Sequence, residues 1–249
     1  MSGHSKWATI KRKKAANDAK RSNQYAKLLR AVEVAAKEGG ADPSANMTLA
    51  SAVEKAKASS VPGDNIDRAI KRGSGADADG ARYEEITYEG YAPGGIALFV
   101  EALTDNRNRT AQEVRHAFTR NGGNLGETGS TLWMFQRKGV IVVEKAVAPD
   151  EDVLLDLALQ GGAEDLADSE SSWDIVTDPQ DFKAVETALR GAGVPVSSAE
   201  ISMVPTTTIP VDGGEARHVL QLIDALEELD DVQNVYANFD IPEEVMSSL

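Results

Sequence analysis

The amino-acid sequence predicts an α+β multidomain protein, with a small N-terminal helical bundle followed by two ferredoxin-like (βαββαβ) α/β domains, one inserted in the other. The 249 residues are long for a single domain. The first seventy residues show helical spacing of apolar side chains, whereas strand-like and helix-like segments alternate after a Gly-rich stretch. The predicted parts are a basic arm (1–21), a helical bundle (22–72), a linker (73–80), a discontinuous α/β domain (81–137 plus 205–249) and an inserted ferredoxin-like domain (138–204).

Three helices are expected in the N-terminal part. The first runs from Ala15 to Lys37 and ends before Gly39-Gly40. The second is predicted to begin at Asp42-Pro43, because Asp is a favoured N-cap residue and Pro suits the first helical position. The third extends from about residue 65 to 72. Arg21 would project onto the apolar face of the first helix, so the segment before residue 22 is predicted to extend beyond the packed body.

The element order after the linker predicts both α/β domains. For the inserted domain we expect strand 139–144, helix 150–160, strand 163–167, strand 172–176, helix 181–191 and strand 200–204, an order typical of the ferredoxin-like arrangement. For the discontinuous domain we expect strand 96–103, helix 110–121, strand 131–136, strand 206–211, helix 215–229 and strand 235–241.

Charge is distributed unevenly along the chain. The net charge is −14, but residues 1–72 carry 15 Lys and Arg against 7 Asp and Glu, whereas residues 73–249 carry 11 against 33. The first thirty residues have 9 basic groups and one acid, Asp18. A strongly cationic segment attached to an anionic body indicates a module that meets phosphate. A solvated charged helix face is the alternative.

The sequence disfavours catalysis and bound cofactors. It has no cysteine, which excludes disulfides and thiolate chemistry and suits the cytoplasm. The three histidines, His4, His116 and His218, are far apart and fit no metal-ligand spacing. No Walker loop or dinucleotide-binding glycine motif is present. We therefore expect no catalytic residues, metal, cofactor or small-molecule substrate. We also expect no membrane association, because no stretch approaches the ~20 apolar residues that a span requires.

The basic arm is the first candidate binding site. Its cations can neutralise phosphates, and an exposed indole can stack on a base. Alternatively, Trp7 docks onto the bundle. The candidate residues in the arm and the first helix are His4, Lys6, Trp7, Lys11, Arg12, Lys13, Lys14, Lys20, Arg21, Lys27 and Arg30.

The second candidate lies at a strand-to-helix junction, residues 104–110 (TDNRNRT). Asn108 or Thr110 could cap the helix, and Arg107 and Arg109 could then hold phosphate beside its positive end. The alternative is that Asp105 and the amides form the turn while both arginines pair with nearby acids.

Several segments together resemble the YebC family. They are GHSKW (3–7), IKRKKAANDAKR (10–21), YEGYAPGG (88–95), LTDNRNRT (103–110), EVRHAF (113–118), GGNLG (122–126) and DDVQNVYANFD (230–240). The form IKRKK differs from the commoner IKHRK only by basic-for-basic changes. The resemblance implies a helical domain followed by two α/β domains, cytoplasmic location and DNA binding, with ribosomal RNA as the competing target. Members are described as probable transcriptional regulators, and mitochondrial relatives as translational activators.

Three functions therefore remain in view. The first is a DNA-binding transcriptional regulator, which the family resemblance favours. The second is a ribosome-associated translation factor that binds ribosomal RNA. The sequence shows no clear helix-turn-helix recognition helix, and a basic arm suits recognition of backbone or shape in either duplex DNA or structured RNA. The third is a protein-interaction scaffold.

Overall fold

The computed structural model describes residues 18–75, 83–169 and 171–241, with residues 18–21 by their backbone alone. Within these residues the helices are α1 (Asp18–Gly39), α2 (Met47–Ala58), α3 (Gly63–Ser74), α4 (Arg107–Arg120), α5 (Glu151–Gly161), α6 (Phe182–Gly191) and α7 (Gly213–Glu227). The strands are β1 (Glu84–Tyr91), β2 (Ala97–Thr104), β3 (Asn124–Leu125), β4 (Phe135–Glu144), β5 (Ala163–Ser169), β6 (Ser172–Thr177), β7 (Val196–Pro205), β8 (Ile209–Pro210), β9 (Val232–Ala237) and β10 (Phe239–Asp240).

Helices α1, α2 and α3 enclose a small apolar core. Its fully or nearly fully buried members include Val32, Leu49, Ala56, Ile66 and Ala69. Helices α1 and α3 pack so closely that a Cβ atom at residue 73 would lie 2.1 Å from the carbonyl oxygen of Glu33. The glycine at this position therefore permits the helix–helix contact.

The start of α2 differs from the prediction. Asn46, not Asp42, is the N-cap, and its Oδ1 accepts the amide of Leu49 at 3.0 Å. The Asn46 amide nitrogen also donates to the carbonyl oxygens of Ala35 and Gly40, so the residue joins α1 to α2. Asp42 instead accepts the amide and hydroxyl of Ser44 and forms a turn. Asp and Asn are both favoured N-cap residues, so local preference could not distinguish Asp42 from Asn46, and tertiary contacts select Asn46.

The first sheet has the strand order β3-β1-β2-β9. All three neighbouring pairs are antiparallel, and helices α4 and α7 contribute Phe118 and Leu222 to the core on one face. A ferredoxin-like sheet has the same spatial arrangement of strands. In that arrangement the strand between β3 and β2 would be the third in sequence, whereas here it is β1, the first in sequence. The prediction left residues 84–91 unassigned, and its βαβ–βαβ connectivity for this sheet is wrong in that respect.

The second sheet has the order β5-β6-β4-β7, and all its neighbouring strands are antiparallel. Helix α5 follows β4, and α6 follows β6, so these elements have the predicted βαββαβ order. Leu154 and Leu189 pack from the two helices against Ile141 and Ile175 of the central strands. The amphipathic pattern of these segments was sufficient to predict this fold.

Strand β4 is a single ten-residue strand that pairs with β7 from Phe135↔Pro205 onward. The predicted strand 131–136 is instead a 3-10 turn (Leu132–Met134) and the start of β4. The ring of Phe135 lies 6.3 Å from that of Phe99 on β2, which joins the two sheets through an apolar cluster.

The predicted strands 206–211 and 235–241 are also shorter than expected. The first reduces to β8, and the second divides into β9 and β10. Strands β8 and β10 pair with each other in parallel. The α+β class, with an N-terminal helical region followed by α/β domains, is confirmed. None of the helices within residues 18–75, 83–169 and 171–241 combines the length and apolarity of a membrane span.

Candidate nucleic-acid interface

The predicted binding residues divide into three groups by position. His4, Lys6, Trp7, Lys11, Arg12, Lys13 and Lys14 lie outside the described residues. Lys20 and Arg21 lie in α1, for which the backbone alone is described there. The side chains of Lys27, Arg30, Arg107 and Arg109 are described, and the structure brings Arg30 and Arg109 together.

The carboxylate of Asp231 joins these two arginines. Asp231 follows α7 and is 1% exposed. Its Oδ1 accepts Nη1 of Arg30 at 3.0 Å, and its Oδ2 accepts Nη2 of Arg109 at 2.6 Å. The arginines reach it from α1 and α4, so one buried anion connects the helical bundle to the first sheet.

Two hydroxyl groups complete the Asp231 site. The Oγ1 atoms of Thr104 and Thr110 donate to Asp231 Oδ2 at 3.0 and 2.7 Å. Between these threonines, Asn106 caps α4 by accepting the amide of Arg109 at 3.1 Å. The TDNRNRT segment, interpreted above as a possible phosphate site, therefore surrounds an internal carboxylate close to the positive end of a helix.

This geometry shifts the pKa values of both partners. Burial acts to raise the pKa of Asp231, but hydrogen bonds from Arg109, Thr110 and Thr104 outweigh it and hold the pKa below its ordinary value. The hydrogen bonds to Asp231 and then to Asp105 raise the pKa of Arg109 above its ordinary value. Asp105 accepts Arg109 Nη2 at 2.9 Å. The pair is therefore ionised at neutral pH.

Further contacts fix α1 against the end of α7 and the loop that follows. Lys27 Nζ donates to the carbonyl oxygen of Glu227 at 2.5 Å, and Asn23 donates to that of Glu228 at 3.0 Å. Arg30 also donates to the carbonyl oxygen of Asp230. Cations at the carbonyl end of a helix interact favourably with its dipole. These contacts place two of the predicted phosphate-binding cations against the acidic body.

A cleft of about 430 Å³ lies at this junction. The Arg30 guanidinium, 5.2 Å from the centre of the Tyr83 ring, forms one wall. The charged residues that line the cleft are Arg30, Arg109, Asp105, Glu113, Glu228, Asp230 and Asp231. Because carboxylates outnumber cations here, the cleft is poorly suited to a phosphate group.

Arg107 lies outside this cleft and pairs with Glu84 at 3.4 Å on the surface. Arg107 and Arg109 thus adopt the alternative arrangement considered for the sequence, in which both pair with nearby acids. A surface pair such as Arg107–Glu84 is weak and could exchange for a phosphate. Nucleic-acid binding by Lys27, Arg30, Arg107 and Arg109 stays a prediction.

Sequence reasoning missed a second buried carboxylate, Glu89 on β1, which is 3% exposed. It accepts the backbone amides of Gly129, Thr131 and Leu132 at 2.6 to 2.7 Å. Burial acts to raise its pKa, but these three amide hydrogen bonds outweigh burial and lower the pKa. Glu89 therefore holds the loop before β4 in one conformation. Ile86 and Tyr88 alternate with Thr87 and Glu89, so the period-two pattern of this segment would have identified the strand, although nothing in the pattern indicates that Glu89 is buried.

That loop presents Trp133 to solvent. Its side chain is exposed, and its indole nitrogen donates to the carbonyl oxygen of Ser130 at 3.0 Å. His116 and His218 are also exposed, on α4 and α7. Among the described residues, no group of three or more His, Asp or Glu side chains is placed to hold a metal ion.

The fold and these contacts define a class: a three-part α+β protein, in which a basic N-terminal helical region is joined to two acidic α/β parts by the ion pairs Arg30–Asp231, Lys55–Glu200 and Glu54–Lys183. The chain belongs to the TACO1/YebC family. Residues 5–76 match the family model of the TACO1/YebC N-terminal domain, and residues 83–239 match that of the TACO1/YebC second and third domains.

Relatives share the full length of the chain. A probable transcriptional regulatory protein from Salinispora arenicola is 55% identical over 249 residues and covers 100% of both chains. Another from Pelotomaculum thermopropionicum is 55% identical over 242 residues, covering 97% of this chain and 99% of its own. The crystal structure of a conserved hypothetical protein from Aquifex aeolicus is 46% identical, with a TM-score of 0.80, and covers 92% of this chain and 94% of that one. These findings support a role in regulating gene expression.

Proposed function

We propose that this protein is a non-enzymatic regulator of gene expression that binds nucleic acid through its basic N-terminal arm, and that its target is DNA. The observation that carries the proposal is the charge division. Residues 1–72 hold 15 basic and 7 acidic groups, whereas residues 73–249 hold 11 and 33. The acidic body repels a polyanion, so attraction to phosphate is concentrated in the N-terminal region.

The contacts of α1 reduce the number of cations that are candidates for phosphate binding. Because Lys27 and Arg30 contact carbonyl oxygens and Asp231, they contribute less to phosphate binding than the five cations between residues 6 and 14. The relatives are named as probable transcriptional regulatory proteins, which supports regulation of transcription.

Recognition of backbone or shape fits this arrangement better than base readout by a helix. The exposed face of α3 carries Asp64 and Asp67 beside Arg68 and Lys71. Two carboxylates on that face would be repelled by the phosphates that border a major groove. Structured RNA offers the same backbone charge, so a ribosome-associated translation factor is the second candidate.

The test compares two variants that each lose four positive charges. In the arm variant, Lys11, Arg12, Lys13 and Lys14 are changed to Gln. In the control variant, Gln replaces four exposed cations that form no ion pair in the described part of the chain, namely Lys57, Lys71, Arg115 and Arg120. Binding to a 30-base-pair duplex and to an RNA hairpin of equal charge is measured across salt concentrations.

We expect the arm variant to lose most of its affinity and the slope of log K against log salt to fall by about 3 to 4 for duplex DNA. The control variant should keep most of both. Equal losses in the two variants would remove the arm from the mechanism. Stronger binding to the hairpin than to the duplex would favour the translation factor.

A further inference from the structure

The loop before β4 carries an exposed apolar tip, defined here as Leu132 and Trp133. Their side chains are 41% and 70% exposed. Single large apolar side chains on a soluble protein's surface need no explanation, whereas adjacent ones that are held exposed on an ordered loop are candidates for an interaction site. The tip lies far from the basic arm in sequence, so an interaction made by the tip does not depend on nucleic-acid binding by the arm.

The tip is held in a fixed conformation before any partner arrives. Glu89 accepts the amides of Thr131 and Leu132, and the Trp133 indole donates to Ser130. The carbonyl oxygen of Ser130 also accepts the hydroxyl of Tyr91 at 2.9 Å. A ring that is already oriented loses little conformational freedom on binding, which favours its use as an anchor.

Charge distinguishes among the possible occupants. Residues 128–136 contain no charged side chain, although 27% of the whole chain is charged. Proteins that stack bases on aromatic rings surround those rings with cations, which this segment lacks. The region that carries the tip, residues 73–249, has 33 acids against 11 bases. The net negative charge of this region favours a basic protein surface and opposes nucleic acid.

A second copy of the chain is a poor binding partner for the tip. Two chains of net charge −14 repel each other. We propose that Leu132 and Trp133 insert into an apolar pocket on a basic partner protein, whose surrounding cations contact the acidic α/β region.

The test places the photocrosslinker p-benzoylphenylalanine at position 132 of the full chain in cells. A second chain carries it at position 159, because Leu159 is 52% exposed on α5 and serves as a matched apolar control. Crosslinked products are identified by mass spectrometry with and without nuclease treatment. The protein recovered is then purified and titrated against wild type, Trp133→Ala and Trp133→Phe.

We expect one basic protein to crosslink at position 132 and not at 159. Its affinity should fall about tenfold or more in Trp133→Ala, stay within about threefold in Trp133→Phe, and weaken with salt. The proposal is overturned if the product at 132 is nucleic acid, an acidic protein or a second copy. It is equally overturned if the two positions give the same yield, or if Trp133→Ala binds the purified partner as tightly as wild type.

Discussion

Replacing Asp231 by asparagine tests the buried junction most directly. The substitution keeps the size of the side chain and removes its charge. One of its two acceptor oxygens becomes an amide nitrogen, which cannot accept from Arg109, Thr104 or Thr110 if it takes the place of Oδ2. The variant therefore separates the contribution of charge from that of packing.

The expected cost follows from burial and exposure. Breaking a fully buried ion pair costs about 3 to 5 kcal/mol, because the remaining charge stays without a partner. Here the arginines can recover water, since the side chains of Arg30 and Arg109 are 22% and 44% exposed. We therefore expect a loss of about 2 to 3 kcal/mol in the free energy of unfolding, which lowers Tm by about 4 to 12 °C for a chain of this size.

The measurement is urea and thermal unfolding of Asp231→Asn beside Asp230→Asn. Asp230 is the adjacent residue, is exposed, and contacts Arg30 through its backbone oxygen alone among the described contacts. Asp230→Asn should change stability by less than about 0.5 kcal/mol. If the two variants unfold alike, the carboxylate of Asp231 does not hold the junction.

The stability difference between wild type and Asp231→Asn should depend on pH with a defined sign. Because the pKa of Asp231 in the folded protein is lower than its ordinary 3.8, its stabilising contribution is complete above that value. The contribution is lost as pH falls through the folded pKa. The stability difference between wild type and Asp231→Asn should thus be constant near neutrality and shrink under acid conditions. A difference that grew on acidification would contradict this assignment.

Two further changes test other contacts. Glu89→Gln should release the loop before β4, because one carboxylate oxygen becomes an NH2 group that cannot accept a backbone amide, and the remaining neutral oxygen accepts less strongly than a carboxylate. Amide hydrogen exchange at Gly129, Thr131 and Leu132 should rise several-fold, and unchanged protection would show that the loop is held otherwise. Gly73→Ala should destabilise the helical bundle by about 1 to 3 kcal/mol, since its Cβ would overlap the Glu33 carbonyl. Circular dichroism during urea unfolding measures this loss, and wild-type stability would mean that α3 shifts freely.

The sequence predicted elements whose signal is local. Helices α5 and α6 and strand β6 show their apolar periodicity within each segment, and the order of the elements was sufficient for a ferredoxin-like sheet. Strand β1 was missed although Ile86 and Tyr88 alternate with Thr87 and Glu89, and the burial of Glu89 could not be predicted from that pattern. A buried glutamate is stable there only because amides from residues 129–132 surround it, and nothing in β1 itself indicates them.

The candidate site shows the same limit. The arginines of TDNRNRT were interpreted as a possible phosphate site beside a helix N-terminus, and Arg109, unlike Arg107, contacts a buried carboxylate there. It is Asp231, more than 120 residues further along the chain from Thr110. The residue types in the segment therefore fit contact with an anion. Which anion they contact depends on how two distant segments of the chain meet in the fold.

The pairing of β4 with β7 has a consequence for how the chain folds. Strands β2 and β9 of the first sheet are neighbours, yet the whole second sheet lies between them in sequence. Phe135 and Pro205 are directly opposed partners, so folding of the intervening segment brings its two ends within roughly 5 Å. The loop that must close to join β2 and β9 then becomes effectively shorter, which reduces the entropy lost. Formation of the second sheet should therefore accelerate formation of the first, because the folded segment holds the ends of β2 and β9 close enough to pair.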